Sequence, residues 1–189
     1  MADSAVLRDE QSFTYADYRA WDLKEGERYE LIDGVPYAMS APGAHHQEIL
    51  IALAAAFYGF FKGKPCKVYP APYDVRLFYR GDEADDTVVQ PDLAVVCDEE
   101  KRGPEGCRGA PDLVIEILSP SNTVVEMMRK FDLYRRAAVQ EYWLVSPEEK
   151  SIHAYCFLGD RVVGRVYTDA AEAEIFPGLK LSLEEIFAE

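Results

Sequence analysis

Residues 112–119, Asp-Leu-Val-Ile-Glu-Ile-Leu-Ser, carry one carboxylate, Glu116, inside an aliphatic run. Leu113, Val114, Ile115, Ile117 and Leu118 give the near-continuous apolar pattern of a strand covered on both faces. An ionised carboxylate is costly there unless a cation or hydrogen-bond donors compensate it, so Glu116 requires a partner. The segment Gln90-Pro-Asp-Leu-Ala-Val-Val96 puts a second acid, Asp92, at the head of another buried strand, 24 residues earlier. Pairing of these strands would bring the two carboxylates together, and a divalent cation is the usual resolution of their repulsion. Mg²⁺, or Mn²⁺ in its place, takes one or two carboxylates together with waters and phosphate oxygens, which suits phosphodiester hydrolysis. Lys130 flanks the apolar stripe of Met127, Phe131 and Tyr134 on the next helix. Its amine could reach back over the sheet to stabilise charge on a phosphate or orient a water.

Each residue also has a plainer reading. Glu116 could sit in a buried ion pair with an Arg or Lys, and Asp92 could bond loop amides at a strand entry. Lys130 could pair with Glu126 four residues earlier on its helix. Glu126 itself completes a capping box with Thr123. Asp112 has its own Pro-Asp pair, but residues four apart on a strand lie roughly 13 Å apart at about 3.3 Å each. That is too far to share one ion with Glu116, so Asp92 is the better partner. His46 opens a long helix, where capping or packing competes with a site role. His45 and His153 carry no assignment.

The elements that must position these groups follow from hydrophobic period and turn residues. Thr14 to Leu23 reads as a short helix, and residues 28–40 as two strands joined at Asp33-Gly34, a strong hairpin signal. His45 to Phe61 reads as a long helix ended by Gly63 and Pro65. Strands are expected at Lys67–Phe78 (with Pro70 and Pro72 able to bend it), Asp92–Val96 and Leu113–Ser119. A helix from Thr123 to about Ala138 follows, then strands at Glu141–Val145 and Ser151–Phe157. Weaker strands at 161–167 and 172–176 and a short helix at 182–187 finish the chain. The expected fold is a mixed α/β (α+β) core, one domain over residues 1–189, with an N-terminal hairpin and a C-terminal strand extension.

Composition narrows the function classes. The chain has 189 residues, 49% of them hydrophobic, which is ordinary for a globular domain. No stretch approaches the roughly 20 apolar residues of a membrane span. Asp3, Arg8, Asp9 and Glu10 interrupt any signal-peptide core, so a cytoplasmic location without membrane contact is expected. Cys66, Cys97, Cys107 and Cys156 lack zinc-site spacing and read as free thiols. A net charge of −14 does not describe a protein that grips nucleic acid over its whole surface. The charge is uneven, however. Residues 82–105 hold nine acids and two bases, whereas 121–140 carry Arg129, Lys130, Arg135 and Arg136 against Glu126 and Asp132. That segment could form a local basic face or an ordinary solvated helix face. Neither a Gly-x-Ser-x-Gly elbow nor a P-loop is present, and a glycosidase carboxylate pair fits the lysine-bearing helix less well than phosphate chemistry does.

Pro91-Asp92, the spacer and Glu116 in its apolar strand resemble the PD-(D/E)XK nuclease superfamily. More narrowly, the chain resembles the Uma family of restriction-endonuclease-like proteins. The stretches that carry this are Tyr29-Glu-Leu-Ile-Asp-Gly34, His46-Gln-Glu-Ile49, Gln90-Pro-Asp92, residues 109–121, and Tyr134 through Glu141-Tyr-Trp-Leu-Val145. They cover about residues 14–180. The resemblance implies a restriction-endonuclease-like core, a central mixed sheet flanked by helices, and a Mg²⁺-dependent DNA endonuclease. Leu118 stands where the superfamily motif has lysine, and the resemblance implies that this role has moved to Lys130. It also makes Glu30 an additional metal or water ligand. Cleavage of both strands of a duplex would call for a homodimer. A catalytically inactive nuclease fold acting as a binding module is the alternative, favoured by Leu118 and the net charge of −14.

Overall fold

The computed structural model describes residues 12–188, so Asp3, Arg8, Asp9 and Glu10 lie outside the described residues. The first half of the chain forms α1 (Tyr15–Ala20), β1 (Tyr29–Ile32), β2 (Val35–Ala38), α2 (Ala44–Phe61), β3 (Lys67–Pro70), β4 (Val75–Arg76) and β5 (Leu93–Val96). Next come β6 (Arg102–Gly103), β7 (Gly106–Arg108), β8 (Leu113–Ile117), α3 (Val124–Arg136) and β9 (Glu141–Ser146). The remainder forms β10 (Ser151–Leu158), β11 (Arg161–Tyr167), β12 (Ala170–Glu172), β13 (Lys180–Ser182) and α4 (Leu183–Ile186).

Six strands build the central sheet in the order β11-β10-β9-β8-β5-β3. Within this sheet, among the described residues, only β8 and β9 pair in parallel, and α3 is the crossover that this pairing requires. Side chains alternate between sheet faces with a period of two. On one face Leu93, Val95, Leu113, Ile115 and Trp143 pack under Ile49, Leu53 and Phe57 of α2. On the other, Ala94, Val96, Val114 and Tyr142 pack under Leu133 and Tyr134 of α3. Continuing the alternation puts Asp92 and Glu116 together on the α3 face.

The hairpin forms where Asp33-Gly34 is expected to turn. Asp33 and Gly34 both take positive φ, 49° and 75°, the backbone of a tight two-residue hairpin turn. Its first strand is anchored to the body by paired backbone bonds between Leu31 and Val88, at 2.8 and 2.7 Å.

Several expectations are revised. The strand expected over Lys67–Phe78 divides after Pro70, next to a cis Ala71–Pro72 bond. Its second part, β4, joins a separate three-stranded sheet with β7 and β6. Strands as short as β6 and β7 carry too few residues to show a period. The strand expected at 172–176 lies at Ala170–Glu172, paired with β13. Cys66 and Cys97 are not free thiols but a disulfide. The register of β3 on β5 pairs Lys67 with Val96, so these two cysteines face one another just beyond the paired residues. Cys107 and Cys156 are buried free thiols, as expected. Among the described residues no helix is long and apolar enough to cross a membrane.

Candidate active site

β5 and β8 run antiparallel, with Leu93 opposite Ile115, so one further step of the register sets Asp92 opposite Glu116. Asp92 Oδ2 accepts the Ile117 amide at 2.7 Å and lies 3.2 Å from His46 Nε2. His46 comes from the first turn of α2. The carboxylate is thus oriented from two sides, by the neighbouring strand and by the helix on the opposite sheet face.

α3 begins at a capping box in which Thr123 and Glu126 satisfy each other's backbone N–H groups. Glu126 therefore caps, and does not pair with Lys130. Lys130 Nζ instead donates to Glu30 Oε1 at 2.5 Å and to Glu116 Oε1 at 3.0 Å. One helical turn on, Tyr134 donates its hydroxyl to the same Glu116 oxygen at 2.5 Å. Glu30 Oε1 also accepts the Gln90 amide at 2.9 Å, which fixes the hairpin acid to the segment that leads into Asp92. Asp92, Glu116, Lys130, Glu30 and His46 are thereby joined through direct contacts and the Asp92–Glu116 register.

Burial and charge act together here. Glu116 and Lys130 side chains are each 18% exposed and Glu30 only 6%. Burial pushes Glu116 up to about 7, with the Lys130 ammonium opposing and the Asp92 and Glu30 carboxylates adding to the rise. Burial would lower Lys130, but the Glu116 and Glu30 carboxylates outweigh it and the net shift is upward. Lys130 is thus a fixed cation. The hydrogen bond to Asp92 raises His46, although burial opposes it.

Glu141 provides a contrast within the same sheet. It is buried, yet its carboxylate accepts from Trp143 Nε1 and from the Glu174 and Ile175 amides, with no salt bridge to a cation among the described residues. Glu141 is satisfied by neutral donors, whereas Glu116 is held by Lys130 together with the Tyr134 hydroxyl. Asp112 is structural too, accepting the Cys97 amide and Gln140 Nε2 at 2.8 Å each. His45 and His153 pair with surface acids, Glu48 and Glu149. The basic segment of α3 is mostly neutralised, since Arg135 pairs with Asp132 and Arg136 with Asp33 and Asp132.

The donor set is compatible with a hard divalent cation. Asp92 Oδ1 and Glu116 Oε2 hold no hydrogen bond among the described residues, so each acid keeps one oxygen for a ligand. No group of three or more His, Cys, Asp or Glu side chains suited to a metal occurs among the described residues. Two carboxylates with waters completing the shell is a Mg²⁺-type arrangement rather than an all-protein cage. Sequence reasoning missed the Tyr134 hydroxyl. The available signal was its i+4 spacing from Lys130, a polar tip at the end of an apolar stripe.

The Uma2 family model, described as "Putative restriction endonuclease", matches residues 15–184. The uncharacterized protein slr1290 of Synechocystis sp. is 29% identical over 140 residues, which is 74% of this chain and 71% of that protein. The crystal structure of "a putative nuclease belonging to DUF820" from Anabaena variabilis superposes with a TM-score of 0.72 at 19% identity. It covers 93% of this chain and 98% of that one, so the mixed sheet flanked by helices is a shared fold. With nearly the whole sequence matched, this chain belongs to the Uma2 family.

Proposed function

We propose that this protein is a divalent-metal-dependent DNA endonuclease. The observation that carries the reading is the pairing of Asp92 with Glu116, each keeping one oxygen uncommitted, beside a permanently charged Lys130. Asp92 and Glu116 would hold Mg²⁺ or Mn²⁺, which would neutralise phosphate charge and acidify a water. The chain's own groups supply the rest. Lys130 has three N–H donors and spends two on Glu30 and Glu116, leaving one for a phosphate oxygen or the attacking water. Charge developing on the phosphate would meet an ammonium already oriented by two carboxylates, so little reorganisation accompanies the reaction. Glu30 and Tyr134 are positioning groups, one for the lysine and one for Glu116. In hydrolysis the water oxygen bonds to phosphorus and gives up one proton to solvent, the bond to one sugar oxygen breaks, and that oxygen takes up a proton from solvent.

Leu118 favoured a silent binding module, but the amine missing from β8 is supplied to Glu116 by α3. The reading takes the protein as a single domain that acts on DNA as a homodimer. Nicking of supercoiled plasmid tests it. Cleavage should require Mg²⁺ or Mn²⁺ and fall by about a hundredfold or more in Asp92→Asn and Glu116→Gln. Undiminished cleavage in both variants, or in EDTA, would rule the reading out.

A further inference from the structure

Three of the four cations on the exposed half of α3 and its approach to the site are matched by carboxylates: Lys130, Arg135 and Arg136. Arg129 is held differently. Its guanidinium lies over the Tyr37 ring, 4.1 Å from the centroid, and no carboxylate pairs with it among the described residues. Both residues are half-buried.

The location follows from the register. Tyr37 stands directly opposite Glu30 across the β1–β2 hairpin, and Arg129 immediately precedes Lys130 on α3. The same hairpin face and the same helix therefore make two contacts side by side, Glu30 with Lys130 and Tyr37 with Arg129. The first is an ion pair inside the candidate site. The second flanks it with a cation that is not neutralised, in a chain whose net charge is −14.

A guanidinium resting on an aromatic face keeps its planar fork of N–H donors at its edge. No hydrogen bond to protein engages those donors among the described residues. The ring limits the swing of a long side chain, so less entropy is lost when an anion binds. Bidentate capture of a phosphate is the chemistry that such a fork serves best.

We propose that Arg129, seated on Tyr37, is an anion subsite that binds a backbone phosphate flanking the scissile one. This rests on the endonuclease reading and adds to it a residue that grips DNA without touching the reacting atoms. It is tested by fluorescence anisotropy with a short labelled duplex in EDTA, so that no turnover occurs, over a range of salt concentrations. Arg129→Gln should bind about tenfold more weakly and lower the slope of log affinity against log salt by about one. Arg129→Lys should keep the slope and lose part of the affinity, because the charge remains while the fork is lost. Tyr37→Phe, which retains the ring, should behave as wild type. A role confined to folding would shift thermal stability without changing the slope. If wild type binds and Arg129→Gln shows the same slope and affinity, the subsite is wrong while the endonuclease reading stands. If wild type shows no salt-dependent binding at all, the subsite falls, and the endonuclease reading is decided separately by plasmid nicking with Mg²⁺.

Discussion

Lys130 Nζ donates to Glu30 Oε1 at 2.5 Å, joining residues 100 positions apart in the chain. The contact ties the N-terminal hairpin to the crossover helix, and the same amine reaches Glu116 on the central strand. One side chain thus holds three elements at the place where the candidate chemistry lies.

Removing that cation should be costly in itself. Lys130→Met leaves Glu30 and Glu116 without the cation they share and should destabilise the protein by about 3 kcal/mol. Adding Glu30→Gln to it should recover part of the loss. Urea unfolding of both variants and of Glu30→Gln alone gives the coupling through a double-mutant cycle. Strict additivity would show that the ion pair does not form.

Tyr134→Phe should cost about 1.5–3 kcal/mol, since it deletes a hydrogen bond to a carboxylate while the ring packing remains. Loss of the donor also disfavours ionised Glu116, so Mn²⁺ should bind more weakly at neutral pH. An unfolding midpoint identical to wild type would show that the hydroxyl is not engaged.

The Cys66–Cys97 bridge closes a loop of separation 31, worth about 3–4 kcal/mol of lost chain entropy in the unfolded state. Cys66→Ser/Cys97→Ser, or reduction, should lower stability by roughly that amount. Equal stability of the oxidised and reduced protein would contradict the bridge.

Glu116 carries a pH signature in the metal-free protein. Its folded value, pushed up to about 7, lies above its ordinary value, so the folded state holds a proton that the unfolded chain releases earlier. The resulting stabilisation is fully present below the ordinary carboxylate range and is lost as pH rises through about 7. The melting temperature of wild type should therefore fall more steeply from pH 4.5 to 7 than that of Glu116→Gln. Parallel curves would place the Glu116 carboxyl in a solvent-like environment.

Much of this arrangement is legible in the residues because period and partner point the same way. A charge in the apolar run 113–118 demands compensation, and the period of two puts Glu116 and Asp92 on one sheet face once β5 and β8 pair. Thr123 and Glu126 announce the start of α3, and Asp33-Gly34 the hairpin turn. Contacts set by long-range register are not legible. The stacking of Tyr37 on Arg129, the meeting of Cys66 with Cys97 and the docking of His46 on Asp92 depend on how separate elements pack. Local propensity contains no term for them. The break after Pro70 was signalled, but the separate sheet that receives β4 was not, because its strands are two or three residues long.

The central claim is that Asp92 and Glu116 form one cation site, and calorimetric titration with Mn²⁺ tests it most directly. Wild type should bind Mn²⁺ with a measurable heat, and both Asp92→Asn and Glu116→Gln should abolish that heat while remaining folded. Heat unchanged in either variant, or absent from the wild-type protein, would contradict the account.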